Sequence, residues 1–316
     1  MALLADTRCW PAAGVGLVLA LHCVACGRSQ RNGDVASGAA GQGGITDEGI
    51  CDGSMDLRLA VRTESGGSLP IALHRELGDT YLYVRGDCRY WILDFQQNPG
   101  WVPTRTGELT REQEQRLFEE LHYDRFGELA GVYRTASSGG EWETYYDGTH
   151  SIWCQDGCYE NHPTAPDELK GMGVNVLHQR AWWVDLLATS EAMKMSDPVR
   201  VVIGKREGEE PGEETPCRPA WPFSLDPEPY ACPFVDNEPF GGAGAGGSSL
   251  IDDPVEAAEL RSWWLDRRDS STCDPLGSGF LVGFLSAKDP TVRYVFAVRD
   301  AVPLENDQGL IPIPFP

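Results

Sequence analysis

Ten consecutive apolar residues at positions 12–21, AAGVGLVLAL, constrain this chain first, because they separate a part that can fold from a part that cannot. Ten residues are too few to cross a bilayer as a helix, which takes about 20. The run fits the apolar region of a secretory signal, typically about 7–15 residues. A buried core helix is the competing reading. Residues 27–44, GRSQRNGDVASGAAGQGG, follow, with Val35 as their only large apolar side chain. Such a stretch buries too little surface to offset its ordering entropy and is expected to stay a flexible coil. The folded part should begin near Ile45.

Small residues stand at Cys23 and Ala25, so cleavage after Ala25 would make Cys26 the first residue of the mature chain. This junction, followed by a polar leash, resembles the lipobox of bacterial lipoproteins. Cys23 stands where that pattern has leucine, and Asp6 and Arg8 are the only charges ahead of it. The resemblance covers residues 1–44 alone. It implies lipidation of Cys26, a membrane reached through that lipid, and an extracytoplasmic place in the bacterial cell envelope. An ordinary signal peptide would instead give a secreted protein.

Charge agrees with a lipid as the anchor. Losing residues 1–25 removes one acid and one base, so the net charge stays at −22. A chain this acidic repels phosphate backbones and anionic headgroups. Nucleic acid is excluded as a partner, and electrostatic membrane binding is not available. No second hydrophobic span exists. A hydrophobic content of 41 % is enough for a real core.

Beyond Cys26 the chain holds Cys51, Cys88, Cys154, Cys158, Cys217, Cys232 and Cys273. In an exported protein these are mostly disulfide candidates. If Cys26 is acylated, an odd number remains and one thiol is left over. If Cys26 is free, all eight can pair. Cys217 and Cys232 are placed to staple part of a long loop, and Cys51 and Cys88 are further candidates.

The pattern predicts an α+β fold of antiparallel β-hairpins with about three helices, stabilised by disulfides. Residues 55–63 alternate apolar and polar, the period of a half-buried strand. Residues 81–95 read as a hairpin turning at Gly86-Asp87. The tripeptide Arg85-Gly86-Asp87 resembles the integrin-binding motif, and a hairpin turn explains it better. Thr110 opens a first helix, with Gln113 at capping-box spacing and Leu117, Phe118, Leu121 and Phe126 on one face. A second helix is expected over 174–188. A third starts after Asp253 as N-cap, with Pro254 at its first position. The C-terminal strands 279–287 and 291–299 should form a hairpin, followed by an extended tail. Two units result: 45–163, β-rich with one helix, and 164–316, α+β with a Pro/Gly/Glu-rich insertion at 204–249. A structureless stretch that long marks an insertion or a linker.

The helices at 174–188 and 253 onward share letters: Arg180, Trp182, Trp183 and Asp185 against Arg261, Trp263, Trp264 and Asp266. Asp-Pro precedes a strand after each. A diverged duplication and coincidence both fit. Helical spacing puts Trp183 and Trp264 in a core and turns Trp182 and Trp263 about 100° away, toward a second interface or partial exposure.

His150, Cys154, Cys158 and His162 are zinc-ligand types at even spacing. Gln155-Asp156-Gly157 reads as a hairpin loop, which puts Cys154 opposite Cys158 and, by the same register, His150 opposite His162. Four residues along a strand span about 13 Å, so one ion cannot bind both pairs. A Cys154–Cys158 disulfide is the favoured reading. No catalytic, cofactor or calcium-loop motif is present: Gly277-Ser278-Gly279 lacks the frame of a nucleophile elbow, and no cofactor is implied. The functional expectation is an exported, lipid-anchored extracytoplasmic protein with a binding or structural role. The alternative is a secreted hydrolase, which a pocket holding His122 or another histidine beside a serine or carboxylates would favour.

Overall fold

The computed structural model describes residues 49–64, 81–93, 104–136, 142–170, 180–207, 220–233, 247–267, 282–289, 291–302, 305 and 313–314. The signal, the leash and Cys26 lie outside them, as do Cys217 and Cys273, so the Cys217–Cys232 staple is not described. The architecture is α+β, with two sheets and, among the described residues, four α-helices where about three were expected.

The first sheet has eight strands: β1 (Leu57–Glu64), β2 (Tyr81–Arg85), β3 (Arg89–Leu93), β4 (Thr104–Glu108), β5 (Gly131–Tyr133), β6 (Trp142–Tyr146), β7 (Ser151–Gln155) and β8 (Glu191–Ala192). Their order is β5-β7-β6-β1-β2-β3-β4-β8, antiparallel except for the parallel β5–β7 pair. Central strands are covered on both sides, and their side chains alternate accordingly. Leu59, Val61, Leu82, Val84, Tyr90 and Ile92 face the helices, whereas Ala60, Tyr81, Tyr83, Trp91 and Leu93 form a separate cluster on the opposite face.

Helices α1 (Arg111–Glu120), α2 (Phe126–Leu129) and α3 (Ala181–Thr189) cover the inner face. The Thr110 hydroxyl accepts from the Gln113 amide, and the Gln113 side chain accepts from the Thr110 amide, completing the capping box. Leu117 and Leu121 are buried with Phe126. The chain then leaves α1 through His122 in the left-handed conformation at φ 51°. Helix α3 starts at Ala181 because Arg180 is extended; residues 174–179 of the expected helix lie outside the described residues. The Gln113 amide nitrogen donates to Asp185 Oδ2 at 3.0 Å and fixes α1 to α3. Trp182 and Trp183 are both buried in the first core, so Trp182 is a packing residue. Since α3 packs there and β8 pairs with β4, membership of the first sheet runs to residue 192 rather than ending near 163.

The second sheet contains β9 (Val199–Glu207), β10 (Ala231–Pro233), β11 (Gly247–Ile251), β12 (Val282–Leu285) and β13 (Val292–Asp300). Its path is β10-β9-β13-β12, with β11 also paired to β9. The β12–β13 hairpin forms as expected, with Asp289 Oδ1 accepting from the Thr291 amide in the turn. Helix α4 (Pro254–Arg267) starts at Pro254, and Asp253 Oδ1 accepts from the amides of Val255 and Glu256. Ala257, Leu260 and Trp264 are buried under this sheet, and Trp263 packs half-buried against Phe223 and Phe284.

Within 204–249 the described residues are 204–207, 220–233 and 247–249; residues 208–219 and 234–246 lie outside them. Residues 204–207 complete β9, β10 and β11 pair along β9, and Trp221, Phe223 and Leu225 enter the second core. Aromatic packing holds residues 221–225 against the second sheet. The two Arg-x-Trp-Trp segments occupy different places. Arg180 precedes its helix, whereas Arg261 lies within α4 and pairs with buried Asp300 at 2.7 Å.

Buried charges link the two sheets at Asp300 and Arg261 and brace the second sheet at Glu305. Thr104 on β4 donates its amide to Asp300 Oδ2 at 2.8 Å. Arg261 also donates to the carbonyl of Lys194 at 2.7 Å. Arg200 and Arg299 both hold the carboxylate of Glu305, whose side chain is 1 % exposed.

Candidate functional site

The richest cluster of polar side chains in the first sheet gathers at one end, where the 51–56 segment, the β2–β3 turn, the start of the 3-10 turn after α1 and the β6–β7 turn meet. Cys51 and Cys88 join two of these segments as a disulfide with Cα atoms 5.1 Å apart, in the usual range. Cys88 is the left-handed residue that closes the β2–β3 turn, at φ 67°, and its amide donates to the Arg85 carbonyl. Gly86 allows close approach: a Cβ there would lie 2.1 Å from Asp52 Oδ1. Arg85 Nε donates to Asp87 Oδ1 at 2.8 Å, so the charged ends of the Arg85-Gly86-Asp87 tripeptide close on each other as a hairpin turn. Asp52 pairs with Arg58 at 3.3 Å. Burial pushes the Asp52 carboxyl up, but Ser54 and Arg58 more than offset this and hold it below its ordinary value.

Asp147 organises the β6–β7 turn. Its Oδ1 accepts from the amides of Thr149 and His150, and its Oδ2 lies 2.9 Å from His150 Nδ1. The contact fixes the ring through Nδ1 and turns Nε2 away from the carboxylate, the placement a general base has when its ring is neutral. The imidazole packs beside Gly127, and its side chain is 46 % exposed. Tyr123 closes the cluster by donating to the Arg58 carbonyl at 2.9 Å, and burial raises its hydroxyl above the ordinary value. Among the described residues, no serine, threonine or cysteine side chain hydrogen-bonds the His150 ring. The arrangement orients the imidazole, and no nucleophile among the described residues is hydrogen-bonded to it. His122 serves the backbone as the left-handed residue after α1.

The four zinc-ligand types do not gather. The β6–β7 hairpin turns at 147–150, not at 155–157, so His150 sits in a turn and nothing places His162 across from it. The chain is no longer a strand after Gln155. His162 is buried and fully engaged: Nδ1 accepts from the amides of Thr164 and Ala165, which leaves Nε2–H to donate to the Gln155 carbonyl at 3.1 Å. Cys154 and Cys158 pair as a disulfide with Cα atoms 5.4 Å apart. Asp156 and Gly157, both left-handed, make the tight return that brings them together. Beneath it, buried Glu143 accepts from the Cys158 amide at 3.0 Å. A Cβ on Gly157 would meet Glu143 Oε1 at 2.5 Å, so the bend needs glycine twice over.

Among the described residues, three potential metal ligands converge at Cys51, Cys88 and Glu114. The two sulfurs there are spent on the disulfide, and Glu114 Oε1 accepts from the Cys51 amide at 2.8 Å. Spacing in the sequence missed the Asp147–His150 pair. Its signal, an Asp-Gly-Thr-His turn between two strands, was legible.

Comparison with known proteins found no family model that matches the chain, no similar curated protein and no similar solved structure. No helix among the described residues is long and apolar enough to cross a membrane.

Proposed function

We propose that the chain is an exported protein, lipid-anchored through Cys26 at the bacterial cell envelope, with a binding or structural role outside the cytoplasm. The observation that carries this reading is the pair of disulfides, Cys51–Cys88 and Cys154–Cys158, in a chain whose residues 12–26 have the pattern of an export signal. Disulfides persist in oxidising compartments and are rare in the cytosol. The acidic balance supports a lipid rather than a basic patch as the means of attachment.

Intact-mass measurement of the chain expressed in a lipoprotein-processing bacterial host, before and after reduction, tests the reading. The expected product begins at Cys26, carries acyl mass on that residue, and gains one hydrogen per paired cysteine on reduction. An uncleaved chain with free thiols at Cys51, Cys88, Cys154 and Cys158 would refute export. A cleaved chain without acyl mass would refute the anchor alone.

The Asp147–His150 pair supports a secreted hydrolase as a second reading. Turnover of ester or peptide substrates by the purified chain, abolished by His150→Ala, would establish it.

A further inference from the structure

The outer face of the eight-stranded sheet is aromatic, and residues 313–314 of the same chain sit on it. Trp142 on β6 and Trp153 on β7 meet edge to face with ring centroids 6.2 Å apart. The Arg134 guanidinium lies 5.9 Å from the Trp142 ring. Tyr146 and Trp153 pack against the cluster of Tyr81, Tyr83 and Trp91. Ile313 enters this cluster and is 8 % exposed. The carbonyl of Pro314, itself an exposed residue, accepts from Trp153 Nε1 at 3.1 Å and from the Ser151 hydroxyl.

Residues 311–316 read Ile-Pro-Ile-Pro-Phe-Pro. Proline fixes φ and removes the amide donor, and it drives the residue before it to extended backbone. Alternation therefore presets an extended peptide that cannot complete a strand ladder and offers carbonyls to outside donors. Proline-rich segments are recognised by aromatic-lined surfaces, and Trp N–H is a donor that seeks a partner when half-buried. The contacts at Ile313 and Pro314 are of that kind: an apolar side chain among aromatic rings, and a prolyl carbonyl taken by an indole.

We propose that the outer face of β6 and β7 is a docking site for proline-alternating peptide segments, which residues 313–314 fill in cis. The partner class is an extended segment with aliphatic residues between prolines, competing with the chain's own segment. This does not depend on export or on lipidation.

The test titrates a synthetic peptide of residues 309–316 against the full chain and against the full chain carrying Ile313→Asp, by calorimetry and tryptophan fluorescence. The peptide should bind the Ile313→Asp chain at least about tenfold more tightly, because apparent affinity scales with the fraction of sites left free. Adding Trp153→Phe, which removes the indole N–H and keeps a ring, should abolish that gain. Equal affinity for the two chains, no binding to a folded Ile313→Asp chain, or a gain that survives Trp153→Phe would overturn the proposal. A dimer of the unmodified chain that dissociates on Ile313→Asp would overturn the cis assignment. Should Ile313→Asp not fold, limited proteolysis within residues 306–313 decides. Cleavage about tenfold faster in Trp153→Phe than in the unmodified chain is expected, and equal rates would sink the idea.

Discussion

Glu305→Gln is the sharpest test of the buried charge cluster that holds the end of the second sheet. The carboxylate accepts from Arg200 Nε at 2.7 Å, from both terminal nitrogens of Arg299, and from the Val302 amide at 3.2 Å. Glutamine keeps the size and one acceptor oxygen. It turns the other oxygen into a donor facing guanidinium, and it leaves two arginines without this counter-charge in a place where Arg200 is 0 % exposed. Removing one partner of a buried ion pair costs about 3–5 kcal/mol. Two cations lose this counter-charge, so the upper part of that range, about 4–5 kcal/mol, is expected. Against a total stability of about 5–15 kcal/mol, and at about 2–4 °C per kcal/mol for a domain of this size, the unfolding midpoint should fall by roughly 8–20 °C. Urea unfolding followed by tryptophan fluorescence measures it. Replacing Arg200, Arg299 and Glu305 together by Met, Met and Leu should recover most of the loss, because an apolar set needs no counter-charge. A pH series gives a second reading. Burial pushes the Glu305 carboxyl up, but Arg299 and then Arg200 outweigh it and hold the group below its ordinary value. A carboxyl depressed in the folded state contributes stability above its unfolded value of about 4.3 and loses that contribution as pH falls through its folded value. The penalty of Glu305→Gln should therefore shrink as pH drops below about 4. A penalty under about 1 kcal/mol at neutral pH, the range of exposed ion pairs in general, would refute the reasoning.

Three smaller perturbations read other parts of the fold, all by urea unfolding. The Cys51–Cys88 bridge spans 37 residues and the Cys154–Cys158 bridge spans 4. Loop-closure entropy then gives about 3.8 kcal/mol for the double serine variant of the first and about 1.9 kcal/mol for that of the second; the reverse order would contradict this account. Thr110→Ala removes one half of the capping box and should cost about 1 kcal/mol, with Thr110→Ser restoring most of it. Gly86→Ala forces a methyl group against the Asp52 carboxylate and the Ser54 hydroxyl and should cost about 1–3 kcal/mol; a neutral result would mean that the 51–56 segment does not lie against the turn.

Local chemistry was legible wherever it acts over a few residues. The capping box at Thr110, the Asp253 cap, the β2–β3 turn and the β12–β13 hairpin are all written within spans that a single turn can read. The same locality explains the misplaced hairpin. Two turns, Asp147-Gly148-Thr149 and Gln155-Asp156-Gly157, carry equivalent glycine signals. Only pairing with β1 and β5 decides that the first reverses the strand and the second merely bends the chain into a disulfide. Composition gave no sign of the aromatic packing at 221–225 for a related reason. Gly, Pro and Glu dominate the count, but Trp221 and Phe223 dominate the energy, since a few buried rings outweigh many solvated loop residues.

The tie between the sheets was illegible for a deeper reason. Arg200, Arg261, Arg299, Asp300 and Glu305 stand among many charged residues, and nothing in their immediate neighbours marks them for burial. A charge is buried only where its partner is buried beside it, so the pattern exists in pairs such as Arg200 with Glu305, 105 positions apart, and in no window of sequence. The contacts of Asp300 are also what makes the joint between the sheets selective. An apolar patch would accept the two sheets in several registers, whereas Asp300 must meet both Arg261 and the Thr104 amide at once. The expected mark of that selectivity is a variant that keeps its helices and strands but loses the joint. In Asp300→Asn the amide side chain can satisfy one of these donors and repels the other, so hydrogen exchange should rise at Thr104 and along β13 before it rises in α1. Uniform protection across both sheets in that variant would show that apolar contacts alone, such as Val302 and Ile313 against Tyr81 and Trp91, suffice to set the joint.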